Sequence, residues 1–299
     1  MNGFDAQWLR QRAPYDAAAR SPRLAADFVA ALGPRTSATL RLLDLAAGTG
    51  ANFRALAPQI VHDQDWLLVD HDATLLARLP DEIMQWARHG GRRCEALRDG
   101  VRVHGDAGTV WCVRTRQLDL AGALESLDAA AFDGITTTAF LDLVSQAWLA
   151  RLAAWLVASG RPVLATLTVD GRRLWQPACA DDALIDDAFR RHQAGDKGFG
   201  PSLGPDATPA LAACLRARGY AVDTAPADWR ITADDAAMLL RMVDEAADVA
   251  RETMPAVAGR VHDWRALRRD QVARAGLTLI VGHADLFARA PRASPVVRA

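Results

Sequence analysis

Apolar positions along the chain follow two rhythms, and the alternation between them predicts the architecture. From residue 5 to 32, Trp8, Leu9, Ala17, Ala18, Leu24, Phe28, Val29 and Leu32 recur at helical spacing, and Ser21-Pro22 has the form of an N-cap and first-turn proline opening a second helix. Leu40 to Ala46 is then a short apolar run, broken by Arg41 and Asp44, that ends at Gly48-Thr49-Gly50 before another helical pattern. Trp66-Leu67-Leu68-Val69 predicts a second buried strand, closed by Asp70-His71-Asp72 and followed by a helix over Ala73 to Leu79. Further strands are expected at Val101 to His104 or Val110 to Arg116, at Gly134 to Thr138 and at Val163 to Val169. The amphipathic stretch Leu141 to Ala158 separates the last two.

Strands alternating with helices at this spacing predict an α/β fold with a mainly parallel sheet and helices on both faces. After Asp170 the alternation lapses. Residues 171–207 hold Trp175, a helical patch at Asp182 to His192 and the glycine- and proline-rich loop Gly195 to Pro205. A helix from Pro209 to Arg218, a strand from Tyr220 to Thr224, two helices between Ala233 and Ala275 and a terminal strand Leu277 to His283 complete the pattern. The 299 residues are expected to form a single domain. Its parts are a helical lead-in (1–39), a binding core (40–170), an insertion (171–207) and a C-terminal part of the sheet (208–299) with a helical insertion at 226–276.

Composition narrows the partners. The formal net charge is -1, so no basic excess draws the chain to nucleic acid or an anionic membrane. Lysine and arginine number 35 together, and Lys197 is the single lysine among them. Cys94, Cys112, Cys179 and Cys214 have neither C-x-x-C nor metal-ligand spacing, so free thiols and no metal site are expected. With no signal pattern and no long apolar run, a cytoplasmic protein, monomer or homodimer, is expected.

The informative segment is Leu42-Leu-Asp-Leu-Ala-Ala-Gly-Thr-Gly-Ala-Asn52. Glycine lets the backbone turn sharply from strand to helix and approach a ligand closely. Asp44 stands just before the turn. Asp70 ends the next strand about 20 residues after Gly50, the spacing at which an acid can take both hydroxyls of a ribose.

On these residues the sequence resembles the class I S-adenosylmethionine-dependent methyltransferases. Their first motif, an acid followed by a glycine-rich turn, is matched by Asp44-Leu-Ala-Ala-Gly-Thr-Gly50, with Ala46 where a first glycine is common. The resemblance implies a Rossmann-like seven-stranded sheet whose last strand is antiparallel, a role that suits Leu277 to His283. It implies S-adenosyl-L-methionine as cofactor, S-adenosyl-L-homocysteine as product and a small-molecule acceptor. Ala46, Gly48, Thr49, Gly50 and Asn52 would cradle the cofactor with Asp44, while Asp70 would bind its ribose hydroxyls, His71 would frame the adenosine, and Thr138 would also contact the cofactor. In Gln117-Leu-Asp119-Leu120, Asp119 would accept from the adenine amino group and Leu120 would pack on the ring, unless Asp119 is an ordinary helix cap.

A dinucleotide-binding dehydrogenase is the competing enzyme class, but Phe53 stands where its fingerprint requires a third glycine, and Asp44 would repel a diphosphate. A non-catalytic protein that binds the same cofactor is a further alternative. For the acceptor side, Asp170, Trp175 and Phe199 are candidates to line a pocket, His192 to take a proton and Lys197 to approach a carboxylate or oxyanion where a guanidinium does not fit. Asp181-Asp182 and Asp186-Asp187 are expected on solvated helix faces. The loop 195–205 is expected to fold over the site as a lid, with glycine hinges and Phe199 as its apolar anchor.

Overall fold

A computed structural model of the chain describes residues 6–32 and 39–291, so the outermost ends of the helical lead-in lie outside the described residues. Two helices, α1 (Ala6–Ala19) and α2 (Pro22–Ala31), precede β1 (Thr39–Leu45). The turn between them is set by Ser21, whose hydroxyl accepts from the Leu24 amide as an N-cap, with Pro22 at the first helical position. The short α3 (Ala51–Leu56), β2 (Asp63–Asp70) and α4 (Ala73–His89) follow. Asp72 caps α4 by accepting from the Thr74 and Leu75 amides, and its apolar stripe of Leu75, Leu76, Leu79, Ile83 and Ala87 is buried.

Three strands come next, β3 (Cys94–Leu97), β4 (Gly100–His104) and β5 (Val110–Gln117), then the single turn α5 (Leu120–Ala123), β6 (Gly134–Thr138), α6 (Gln146–Ser159) and β7 (Val163–Gln176). The remainder is α7 (Asp182–Gln193), α8 (Ala207–Arg216), β8 (Ala221–Pro226), β9 (Trp229–Ile231), α9 (Ala236–Thr253), α10 (Ala258–Ala273) and β10 (Thr278–Arg289).

The sheet order is β3-β4-β5-β2-β1-β6-β7-β10-β8, with β9 paired to β10. β5, β2, β1, β6 and β7 are mutually parallel, and β10 is inserted antiparallel beside β7, the Rossmann-like arrangement that the resemblance implies. The sheet has ten strands where seven were expected. Both candidates around residues 101–116 form, because β3 and β4 make an antiparallel hairpin extension against β5, and β9 adds a short edge.

Helices cover both faces. One face packs α2 and α4 against β1 and β2 around Phe28, Phe53, Trp66 and Trp111, while the other packs α6 and α8 around Leu141, Trp148, Leu152 and Leu211. A third core joins α7, α9 and α10 to β9 and to the far ends of β7 and β10. That core follows from a second difference. The strand starting at Val163 does not stop at Val169 but runs on to Gln176, passing Leu167 at φ +57° and Gly171 at φ +83°, while β10 shifts register opposite it. Asp285 pins the irregular stretch by accepting from the Leu167 and Ser21 amides, both at 2.8 Å.

Candidate functional site

The chain runs from β1 outward through β2 and β5 and returns to β6 on the other side of β1, so the connections leaving β1 and β6 diverge. Open α/β sheets bind ligands in the crevice at such a switch, beyond the carboxyl ends of the strands. Here that crevice is a cavity of about 990 Å³, at the upper end of the range for small-molecule sites. Its floor is the turn after β1 (Ala46 to Thr49), the end of β2 (Asp70 to Asp72) and the end of β6 (Thr138 to Phe140); α1, Arg241 and Glu245 of α9, and the loop residues Asp196 to Phe199 enclose it.

The turn has the conformation that its sequence suggested. Gly48 at φ +54° and Gly50 at φ +83° occupy the left-handed region, and so does Ala46 at φ +52°, where a Cβ makes the conformation costly by about 1–2 kcal/mol. Strain of this kind persists where the surroundings enforce it. The Gly48 amide donates to Asp70 Oδ2 at 2.8 Å and the Asp72 amide donates to Asp70 Oδ1 at 3.0 Å, which ties the second acid to the glycine turn and fixes its carboxylate at the cavity wall. His71 is mostly exposed, with Nδ1 3.3 Å from Asp70 Oδ1.

Asp44 lies behind the turn and is wholly buried. Asn52 Nδ2 donates to its Oδ1 at 2.8 Å and Thr136 Oγ1 donates to the same oxygen at 2.7 Å, while Oδ2 is buried without a partner among the described residues. Burial pushes its pKa from 3.8 up to about 6, against the opposing pull of those hydrogen bonds and of Arg20.

Arg20 was not singled out from sequence. Its guanidinium reaches from the end of α1 across the floor, donating to Asn52 Oδ1 at 2.7 Å, Thr166 Oγ1 at 2.8 Å and Thr138 Oγ1 at 3.2 Å. All three acceptors are neutral, and no carboxylate pairs with it among the described residues, so burial drives its pKa down. In a chain this rich in arginine, nothing local distinguishes Arg20. Trp8 and Arg12 of α1 and Arg241 of α9 line the cavity and were missed because only packing of those helices over the sheet brings them there; Arg54 of α3 and Phe140, just after β6, line it as well.

Of the residues proposed from sequence, Ala46, Gly48, Thr49, Asp70, His71, Thr138, Lys197 and Phe199 line the cavity. Gly50 and Asn52 support it from beneath, Gly50 facing Leu68 and Ile83. Asp119 caps α5 by accepting from the Ala121 amide, and Leu120 is buried in the core beside Trp148, so Leu120 is not free to pack on a ring.

Three acceptor-side expectations are corrected. Trp175 lies in the extended β7, is 3% exposed and meets Trp264 edge-on at 5.2 Å in the third core. Asp170 pairs with Arg172 and lines a separate cavity of about 580 Å³ with His283. His192 lies outside the cavity lining; its backbone carbonyl accepts from Lys197 Nζ at 3.1 Å. The expected solvated face at Asp182 also fails, because Asp182 accepts from the fully buried Arg268 and from Trp264 Nε1.

The loop after α7 closes on the cavity wall. Phe199 packs edge-on against Phe140 at 5.3 Å and Trp148 at 5.1 Å, and Ser202 Oγ donates to Leu143 O at 3.0 Å. Among the described residues no group of three or more ligating side chains could hold a metal ion, and no helix is long and apolar enough to cross a membrane.

No protein-family model matches the sequence, and no curated protein matches it. Solved structures do align along nearly the whole chain. A methyltransferase from Thiobacillus denitrificans, solved with S-adenosyl-L-homocysteine, is 16% identical over 96% of this chain and 99% of that one, with a TM-score of 0.43. One from Geobacter sulfurreducens with the same ligand is 15% identical over 94% and 98%, with a TM-score of 0.42. Phospholethanolamine N-methyltransferase 2 of Haemonchus contortus is 11% identical over 97% of this chain, with a TM-score of 0.44; the chain spans 59% of its length.

Proposed function

We propose that the chain is an S-adenosylmethionine-dependent methyltransferase acting on a small-molecule acceptor. The observation that carries this reading is the Asp70 carboxylate, bonded to the Gly48 amide at the switch point of the sheet and presented to the cavity. The fit rests on the chain itself. Gly48 and Ala46 turn the backbone away to leave space beside the floor. Phe53 is fully buried, edge-on to Trp66 at 5.6 Å and Trp111 at 6.2 Å, so the third glycine position of a dinucleotide site is filled by core packing.

In this reading Asp70 accepts from the ribose hydroxyls, Arg20 and Thr138 face the amino-acid part, and Phe140, Leu143 and Phe199 form the wall against which an acceptor is oriented. When bound, the cofactor supplies an electrophilic methyl group on a sulfonium. The protein's contribution is alignment and exclusion of water, and orientation of this kind is worth up to roughly 7 to 11 kcal/mol. The volume leaves room for a cofactor and a small acceptor together.

Calorimetry with S-adenosylmethionine, S-adenosylhomocysteine and NADH tests the assignment. Both adenosyl ligands are expected to bind and NADH is not. Asp70→Ala is expected to weaken the adenosyl ligands about tenfold, from loss of charge-assisted bonds worth about 1.5 to 3 kcal/mol. Binding of NADH alone, or unchanged affinity in a folded Asp70→Ala variant, would overturn it. Release of S-adenosylhomocysteine across a metabolite panel then separates an enzyme from a non-catalytic binder.

A further inference from the structure

The acids and bases that line the cavity are not matched in their commitments. Asp16 is engaged by Arg12, at 2.9 Å from Nε to Oδ2, and by Trp229 Nε1 at 3.0 Å. Asp70 and Asp72 hold backbone amides as described, and Asp196 Oδ1 accepts from the Gly198 and Gly200 amides at 2.7 and 2.9 Å, closing its own loop. Among the cavity acids only Glu245, exposed at the rim, has no such tie among the described residues.

The cations differ. Lys197 Nζ donates to one backbone carbonyl, that of His192, and no carboxylate lies within ion-pairing distance of it among the described residues. Its two further protons have no protein acceptor among these bonds, and partial burial pulls its pKa below the usual lysine value. Arg241 donates through Nη1 to Gln11 Oε1 at 2.8 Å, and its guanidinium lies over the Trp8 ring at 4.3 Å. A guanidinium stacked in this way keeps its edge free, and that edge matches a carboxylate with two parallel bonds. Both cations border the same cavity as the aromatic wall of Phe140 and Phe199.

We propose that Lys197 and Arg241 form a carboxylate-binding subsite for the methyl acceptor, which is therefore a small acid with an apolar or aromatic body. The proposal rests on the methyltransferase reading and names the substrate class of that same site. A carboxylate here gains two charge-assisted partners, and its apolar body covers Phe140 and Phe199. An acceptor amine would instead meet two unpaired cations and be repelled. The cofactor's own carboxylate has the same chemistry, so the test must separate the two sources.

Benzoate, phenylacetate and 3-phenylpropionate, each beside its primary amide, serve as probes in calorimetry on the whole chain, with and without S-adenosylhomocysteine. At least one acid is expected to bind about tenfold or more tighter than its amide and to weaken with rising salt. Lys197→Gln and Arg241→Gln, checked for folding by thermal melting, are each expected to lose most of that preference and to bind S-adenosylhomocysteine as the parent does. Lys197→Gln gives up one bond to a backbone carbonyl, whereas Arg241→Gln also gives up its bond to Gln11 and its stacking on Trp8 and is expected to melt somewhat lower; if one variant fails to fold, the other carries the comparison. Three acids that bind no better than their amides, or a preference retained in both variants, would overturn the subsite. Loss of S-adenosylhomocysteine affinity in the variants would give the cations to the cofactor and also overturn it. If the parent does not bind S-adenosylhomocysteine, the methyltransferase reading fails separately, and the acid-to-amide comparison on the ligand-free chain still decides whether the cations form an anion site.

Discussion

Asp44→Asn isolates the cost of a buried carboxylate at the floor of the cavity. The group is enclosed and Oδ2 has no partner among the described residues, so burial outweighs the two donors on Oδ1 and the proton is held more tightly in the folded chain than in the unfolded one. A rise from 3.8 to about 6 corresponds to about 3 kcal/mol at roughly 1.36 kcal/mol per unit. The sign follows from linkage. Because the folded state binds more protons between those values, this group costs nothing well below pH 3.8, stability falls as pH rises toward 6, and above that the full cost is present. Asparagine keeps the shape and an acceptor oxygen for Asn52 without the charge. Between pH 5 and pH 8 the parent is therefore expected to lose about 1.5 kcal/mol more than the variant, in urea unfolding followed at half-unit pH steps. Asp142 and Asp186 are also raised to about 6 by burial, but they titrate in both proteins and cancel in the difference. The variant is expected to bind S-adenosylmethionine more weakly although it is the more stable protein at pH 8, as strained functional positions commonly behave. Parallel stability curves for parent and variant would show that Asp44 is not held protonated by burial, and the reasoning would fail.

The third core offers a stronger destabilisation. Arg268→Ala leaves Asp182 without its buried partner and is expected to cost about 3 to 5 kcal/mol in urea unfolding, with much of the loss recovered when Asp182 is also replaced by leucine. Gly134→Ala places a Cβ 2.6 Å from Leu32 Cδ2 and 2.7 Å from Phe28 Cζ, and is expected to cost about 1 to 3 kcal/mol by forcing α2 away from β6. For the loop 195–205, limited proteolysis is expected to be slowed by S-adenosylhomocysteine together with an acceptor, and to be faster in Phe199→Ala, which loses the ring contacts to Phe140 and Trp148. Equal cutting rates in all four conditions would remove the lid from the description.

How far the chain could be read without its structure depended on how local the information was. The β1 turn was legible because Asp44, Gly48 and Gly50 lie within seven residues, and Asp70 was legible because the next strand ends beside it. The strand at Val163 was read short because the alternation lapses after Asp170, whereas in the sheet Gly171 lies in a bulge that β10 pairs across, and this carried Trp175 out of the cavity into a core. Asp182 resembled a solvated acid because its partner, Arg268, lies 86 residues away.

By itself the sequence determined the alternating elements, the parallel core and the floor of the site, since hydrophobic period and turn chemistry act between neighbours along the chain. Only the tertiary structure decided what encloses that floor. Arg20, Arg241 and Trp8 reach the cavity because α1 and α9 pack across the carboxyl ends of the strands, while His192, on the helix just before the loop that does line it, stays outside. A charged side chain has the same local signature on a solvated face and in a pocket; its role is set by the groups that burial brings around it, and those come from segments far apart in the chain.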